Sequence, residues 1–352
     1  MKKAVYLEPH VLEVVEDEIP AIGPEEALLR VQVCTICGTD LRIYNYGHFK
    51  ILPGTKRVLG HEVVGEIAAV GSQVQGLKPG MRVAIAPNIG CGHCDMCVQG
   101  WNQLCPDYDA FGISLDGGFA EYMKIPAPAI RQGNILEIPE GISYREAVLA
   151  EPLSCVYNGF ESVAIKPGDT VVVFGAGPIG LLHVQLARLG GATKIILCEP
   201  VEERLQEGRR YGADILVNPQ KEDIKAVVME ETKGKGANAV ITAVSAAVVQ
   251  QQALEIAGVH GRINFFGGLP RGREIVSLNT NLIHYKQLVV TGTTGANHRQ
   301  YRRALELIAA RKVETGSLIG KIYPLEAITE AFQQGNTGKK IAISFEEQPV
   351  TL

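Results

Sequence analysis

Long apolar runs are missing from this 352-residue sequence: no stretch reaches the ~20 apolar residues that a membrane-spanning helix needs. The opening segment, MKKAVYLEPHVLEVVEDEIP, carries two lysines and a short apolar run soon broken by Glu8 and Pro9. It lacks the longer apolar stretch and small-residue cleavage site of a secretory signal. An excess of one charge sign is also missing. A formal net charge of -4 and a pI near 6.1 leave no basic patch for nucleic acid. Neither an internal repeat nor a low-complexity tract is present. With no export signal, the eight cysteines read as metal-binding or catalytic rather than as a disulfide framework. The expectation is a soluble, cytoplasmic, enzyme-sized chain without membrane or nucleic-acid partners.

What is there divides near residue 155. At ~150 residues per domain the length suggests about two domains. Before the division, short β-branched runs (28–33, 63–70, 82–86) are punctuated by Pro53-Gly54, Lys78-Pro79-Gly80 and Asp116-Gly117-Gly118, which suits an irregular antiparallel β-barrel with long loops. After it, strand-like runs at 171–174, 195–198, 239–244, 262–266 and 288–291 alternate with helix-length segments, among them 178–189 and 202–211. Such alternation predicts a parallel sheet covered on both faces. One more helical stretch, 299–311, precedes a short return to β texture.

The run 171–174 is followed at once by Gly175-Ala176-Gly177-Pro178-Ile179-Gly180, opening a helix. In that setting the first glycine permits a tight turn, the second lets the backbone approach a pyrophosphate, and the third lets helix and strand pack closely. The helix N-terminus adds amide donors. Pro178 suits the first helical turn, where no amide hydrogen is needed. The next strand ends at Glu199, 24 residues beyond Gly175. A carboxylate there accepts hydrogen bonds from the adenosine ribose and repels the extra phosphate of NADP, so NAD is expected. A solvated strand-end carboxylate would look the same. Arg204 either covers the adenine or lies on a helix surface.

Cys91, Cys94, Cys97 and Cys105 form a C-x2-C-x2-C-x7-C run among glycines and polar residues. Four thiolates converging on one ion leave no position for substrate, which reads as structural zinc. An iron–sulfur cluster is the alternative, because Pro106 follows the last cysteine. Three further segments hold metal-capable side chains: Cys37-Gly38-Thr39-Asp40, Gly60-His61-Glu62 and Glu151-Pro152. A catalytic zinc takes three protein ligands of these types and keeps one position open. Each segment alone has an ordinary explanation, a buried thiol or a structural histidine, and the combination with a dinucleotide motif is what counts.

These elements, with Asp116 to Tyr122 and Glu151-Pro152-Leu153, occur in the order found in the zinc-containing medium-chain dehydrogenases, and the sequence resembles that family over essentially its whole length. The resemblance implies an α/β fold: a GroES-like β-barrel catalytic domain (1–155 and 292–352) around a Rossmann domain with a doubly wound parallel sheet (156–291), with the active site in the cleft. It also implies Cys37 and His61 as zinc ligands, Glu62 as a ligand or close supporting carboxylate, and two zinc ions, one catalytic and one structural. A homo-oligomer, dimer or tetramer, follows by the same resemblance. Glu151 stands where many relatives carry a cysteine ligand; a glutamate followed by Pro-Leu-Ser is typical of the sorbitol dehydrogenase branch, where it binds directly or through water. Cobalt or manganese could replace zinc at the open site.

The chemistry expected is oxidation of a secondary alcohol, a polyol or sugar alcohol, with zinc acting as Lewis acid and hydride passing to the nicotinamide. Thr39, two residues from Cys37, would hydrogen-bond the substrate oxygen and start the proton's exit, or else cap the backbone. Two departures matter. The histidine that many relatives carry five residues after the zinc cysteine is Arg42 here, and the stretch 291–296 lacks the Arg-Tyr pair of sorbitol dehydrogenases. Arg42 with Lys50, Lys56 and Arg57 suits a phosphorylated polyol or forms a solvated face. The rival readings are an L-threonine 3-dehydrogenase, on the Cys-Gly-Thr-Asp-Leu run, and a non-catalytic zinc- and nucleotide-binding scaffold.

Overall fold

The computed structural model describes residues 1–335 and 338–346, so the far end of the expected catalytic segment, 347–352, lies outside the described residues. In chain order the elements that position the site are β1 (Ala27–Thr35), α1 (Gly38–Tyr46), β2 (Glu62–Val70), β3 (Arg82–Ile85), β4 (Tyr122–Ile125), β5 (Ile135–Glu137) and α2 (Ala150–Val163). Then follow β6 (Thr170–Phe174), α3 (Pro178–Leu189), β7 (Lys194–Cys198), α4 (Glu202–Glu207), β8 (Ile215–Val217), β9 (Ala237–Thr242), β10 (Ala257–Phe265) and β11 (Val289–Gly292). The last are α5 (His298–Ala309), β12 (Ile319–Tyr323) and β13 (Lys340–Ser344). They group into two compact units, 1–154 with 296–311 and 315 onward, and 155–295 with 312–314.

The first unit is built on a seven-stranded sheet in the order β5-β3-β2-β1-β13-β12, with β4 also on β1. Every pairing is antiparallel except that of β12 with β13. β1 reads ALLRVQVCT and buries most of its length, packing Leu29, Val31 and Cys34 with Val63, Ile67, Val83, Ile85 and Phe119 into one core. Its register brings Thr35 opposite Glu62 on one side and opposite Ala342 on the other. Two strand ends, Thr35 and Glu62, thus meet in one row with the middle of β13, three segments distant in the chain.

The second unit is a six-stranded parallel sheet, β8-β7-β6-β9-β10-β11. β6, TVVVF, is buried from Val171 to Phe174, as a strand covered on both faces should be. The expected α/β fold is therefore present in both parts. One local expectation changes. The helix predicted over 202–211 stops as α at Glu207 and finishes as a 3-10 turn, Gly208–Tyr211. A Cβ on Gly208 would sit 2.2 Å from Leu197 Cδ2, so the backbone itself packs against β7 there.

Candidate active site

The turn from β1 into α1 presents Cys37, and the start of β2 presents His61 and Glu62. One buried side chain joins the two segments. Asp40, in the first turn of α1 and fully buried, accepts the Cys37 amide with Oδ2 at 2.8 Å and the Gly60 amide with Oδ1 at 3.2 Å. Asp40 Oδ1 also lies 3.3 Å from His61 Nδ1, a charge contact without hydrogen-bond geometry, on the side of the ring where a carboxylate supports a metal-bound histidine. Gly60 is required at this crossing. Its φ is +93°, and a Cβ would fall 2.6 Å from Cys34 Sγ.

Ligand atoms of Cys37, His61 and Glu62 lie within 4.8 Å of one another. Glu62 has no solvent exposure. Its Oε1 accepts from Lys340 Nζ and its Oε2 from the Thr35 hydroxyl; Lys340 Nζ also lies 3.4 Å from the Ile36 carbonyl. Glu151 is buried in the first turn of α2, and its charge acts on Lys340. Burial works against a charged Lys340, but the Glu62 carboxylate and then Cys37 outweigh it, and its pKa is raised. His61 is likewise opposed by burial yet raised well above its ordinary value by Asp40 and Cys37. The thiol, imidazole and carboxylate donors fit a zinc-type ion. Thr39, half-buried, is the second residue of α1.

Sequence reasoning singled out Cys37, His61 and Glu62 but assigned nothing to Asp40, Thr35 or Lys340. Asp40 carried a signal, an acid three residues after the helix cap position. Lys340 carried none.

The four cysteines also come together, their Sγ atoms within 4.8 Å of one another. Cys94 and Cys105 are 3.7 Å apart, where four thiolates around one zinc at ~2.3 Å would stand about 3.8 Å apart. All eight cysteines are free, and Cys34 and Cys198 are buried in the cores. The amides of His93 and Cys94 pull the Cys91 thiol down to about 6, while burial pushes Cys97 up to about 12.

In the second unit, Gly175 has φ +100° and a Cβ on Gly180 would lie 1.8 Å from the Gly175 carbonyl, so neither tolerates a side chain. A Cβ on Gly177 would meet no atom within 4 Å, the open approach a pyrophosphate needs. Gly177 caps α3, whose first residues are Pro178 and Ile179. Glu199 is buried at the end of β7 and turned onto the loop, accepting Ala176 N at 2.9 Å and Val201 N at 3.0 Å. Arg204 lies half-buried on α4. The cations after α1 diverge. Lys50 donates to the Tyr108 carbonyl and sits over its ring, and Arg57 pairs with Asp116 at 2.8 Å, while Arg42 and Lys56 are exposed.

An antiparallel unit holding two metal-type side-chain groups, in one chain with a parallel sheet that carries a glycine loop, defines the zinc-type dehydrogenase class. Comparison with known proteins agrees. Residues 23–139 match the alcohol dehydrogenase GroES-like domain family, and residues 178–310 match the zinc-binding dehydrogenase family. The L-threonine 3-dehydrogenase of Pyrococcus furiosus is 34% identical over 339 residues, 94% of each chain. The sorbitol dehydrogenase of Bacillus subtilis is 32% identical, covering 95% of this chain and 93% of its own. A zinc-binding dehydrogenase of Sinorhizobium meliloti 1021, solved bound to NADP, superposes with a TM-score of 0.89 at 33% identity over 98% of this chain and 99% of that one. The chain belongs to the zinc-type medium-chain alcohol dehydrogenase family, a family of oxidoreductases. No helix among the described residues is long and apolar enough to cross a membrane.

Proposed function

We propose that this protein is a zinc-dependent, NAD-linked dehydrogenase that oxidises a secondary alcohol of a polyol or sugar alcohol to the ketone. The observation that carries the reading is the group formed by Cys37, His61 and Glu62, which converges on one point in a chain that also keeps an open glycine loop. A scaffold that kept only structural zinc has no use for such a group. Bound zinc would supply Lewis acidity to the alcohol oxygen, and NAD would accept the hydride. In this reading 1–155 and 292–352 act in catalysis, 156–291 bind the nucleotide, and the enzyme works in the cytoplasm as a homo-oligomer.

The chain's own residues have distinct tasks. Cys37 and His61 hold the metal, with Glu62 beside them and Glu151 direct or through water. Asp40 fixes the His61 ring. The Thr39 hydroxyl accepts the proton leaving the substrate oxygen and passes it outward; with Arg42 in place of a relay histidine, water or a ribose hydroxyl takes it on. Gly175, Gly177, Pro178, Ile179 and Gly180 cradle the pyrophosphate with backbone amides, Glu199 binds the ribose and excludes a 2′-phosphate, and Arg204 covers the adenine. Of the four cations considered for a phosphorylated substrate, Lys50 and Arg57 are engaged with Tyr108 and Asp116, so that variant rests on Arg42 and Lys56.

A second reading, L-threonine 3-dehydrogenase, is favoured by the identity to the Pyrococcus furiosus enzyme. One screen separates them: initial rates with NAD and with NADP on sorbitol, xylitol, butanediol, polyol phosphates and threonine. Highest catalytic efficiency on an unphosphorylated polyol with NAD is expected. Threonine as the best substrate makes the second reading correct, and no turnover of any alcohol with a fully zinc-loaded protein removes both.

A further inference from the structure

The buried ion pair behind the metal group has no place in the reaction as described. Lys340 is the only buried lysine or arginine among the described residues, and a buried charge is costly unless it is matched and hydrogen-bonded. Its partner, Glu62, is 278 residues away in sequence and has no exposure. The match is made by the sheet: β13 begins at Lys340 and runs beside β1, β1 ends at Thr35, and Thr35 stands opposite Glu62. Lys340 holds Glu62 Oε1 and Thr35 holds Oε2, so each carboxylate oxygen is claimed from the side of the sheet. Asp40 and Glu62 are buried at this group, and the charge of Glu151, also buried, acts on Lys340, which makes a single cation there a matter of charge balance as well as of position.

Resting on the reading of a metal at Cys37 and His61, we propose that Lys340 is a positioning residue for that site. By tethering Glu62, it keeps the carboxylate beside the metal without letting it take the position meant for the alcohol oxygen. Without the ammonium, Glu62 is free to turn and close that position. An ion pair that only neutralises a buried acid would instead affect stability alone.

The test uses full-length protein with cobalt(II) in place of zinc, reading the visible bands that report coordination, the rate of metal release to a chelator, and the melting temperature. Lys340→Met is expected to shift the cobalt bands and change metal release or turnover by about 10- to 100-fold. Lys340→Arg is expected to restore the wild-type bands, and Lys340→Met added to Glu62→Gln to cause no further shift. A lower melting temperature with unshifted bands overturns the proposal. Should Lys340→Met not fold, Thr35→Val, which frees the other oxygen without changing charge, is read the same way, and unshifted bands again overturn it. Wild-type protein that takes up cobalt only at the four cysteines removes the metal site itself, and the proposed function with it.

Discussion

Asp40 shows how much one side chain can organise. Its two oxygens hold the Cys37 amide, the Gly60 amide and the flank of the His61 ring, so the ligands from two segments share one brace. Asp40→Asn keeps the shape but loses the charge facing His61; it is expected to cost about 10- to 100-fold in metal affinity or activity, measured by zinc retention during dialysis against a chelator. Glu199 makes a second residue-scale prediction. Replacing it with serine removes the charge expected to repel a 2′-phosphate. The ratio of kcat/KM with NADP to that with NAD should rise by about tenfold, ~1.4 kcal/mol, and an unchanged ratio means that Glu199 serves only to hold the loop through Ala176. The positions of Cys37, His61 and Glu199 were legible because a metal-capable side chain or acid at a fixed offset from a glycine or a strand end announces itself, while the roles given to them are proposals. Thr35 and Lys340 were not, because their roles depend on strand register and on a contact 278 residues long.

At the scale of elements, the β6–α3 junction is where sequence and geometry agree best. A strand buried on both faces, three glycines and a proline at the first helical turn leave little freedom, and the helix predicted over 178–189 is found there. Gly180→Ala drives a methyl into the Gly175 carbonyl. It is expected to destabilise by ~1–3 kcal/mol and to abolish cofactor quenching of protein fluorescence, followed by urea melts and nucleotide titration. On α3 itself His183 is fully buried, neither ring nitrogen has a hydrogen-bond partner among the described residues, and the ring packs edge-on against Phe266, with centroids 4.7 Å apart. Burial pulls its pKa from 6.5 down to about 3. Below pH 6.5 the unfolded chain therefore takes up a proton that the folded chain refuses, and stability falls with falling pH. The loss is about 1.4 kcal/mol per pH unit, ~2 kcal/mol between pH 6.5 and 5. Urea melts across that range should show it, and His183→Leu should flatten that part of the slope. The end of α4 was not legible, since only the packed sheet shows that Gly208 must lie against Leu197.

The whole molecule joins two kinds of sheet, and the change of texture near residue 155 announced both. The antiparallel runs and the βαβ alternation are local signals. The strand order of the first unit is not: β13, at the far end of the chain, inserts between β1 and β12, and nothing in its own residues points to that neighbour. That insertion delivers Lys340 to the metal group, so the part of the site hidden from sequence is the part that only tertiary assembly creates. The account as a whole rests on an open metal position at Cys37 and His61, separate from the closed one at the four cysteines. Zinc per chain, measured by mass spectrometry on purified wild type and on His61→Ala, tests this most directly. The account predicts two ions in the wild type and one in the variant; one ion in both would contradict it.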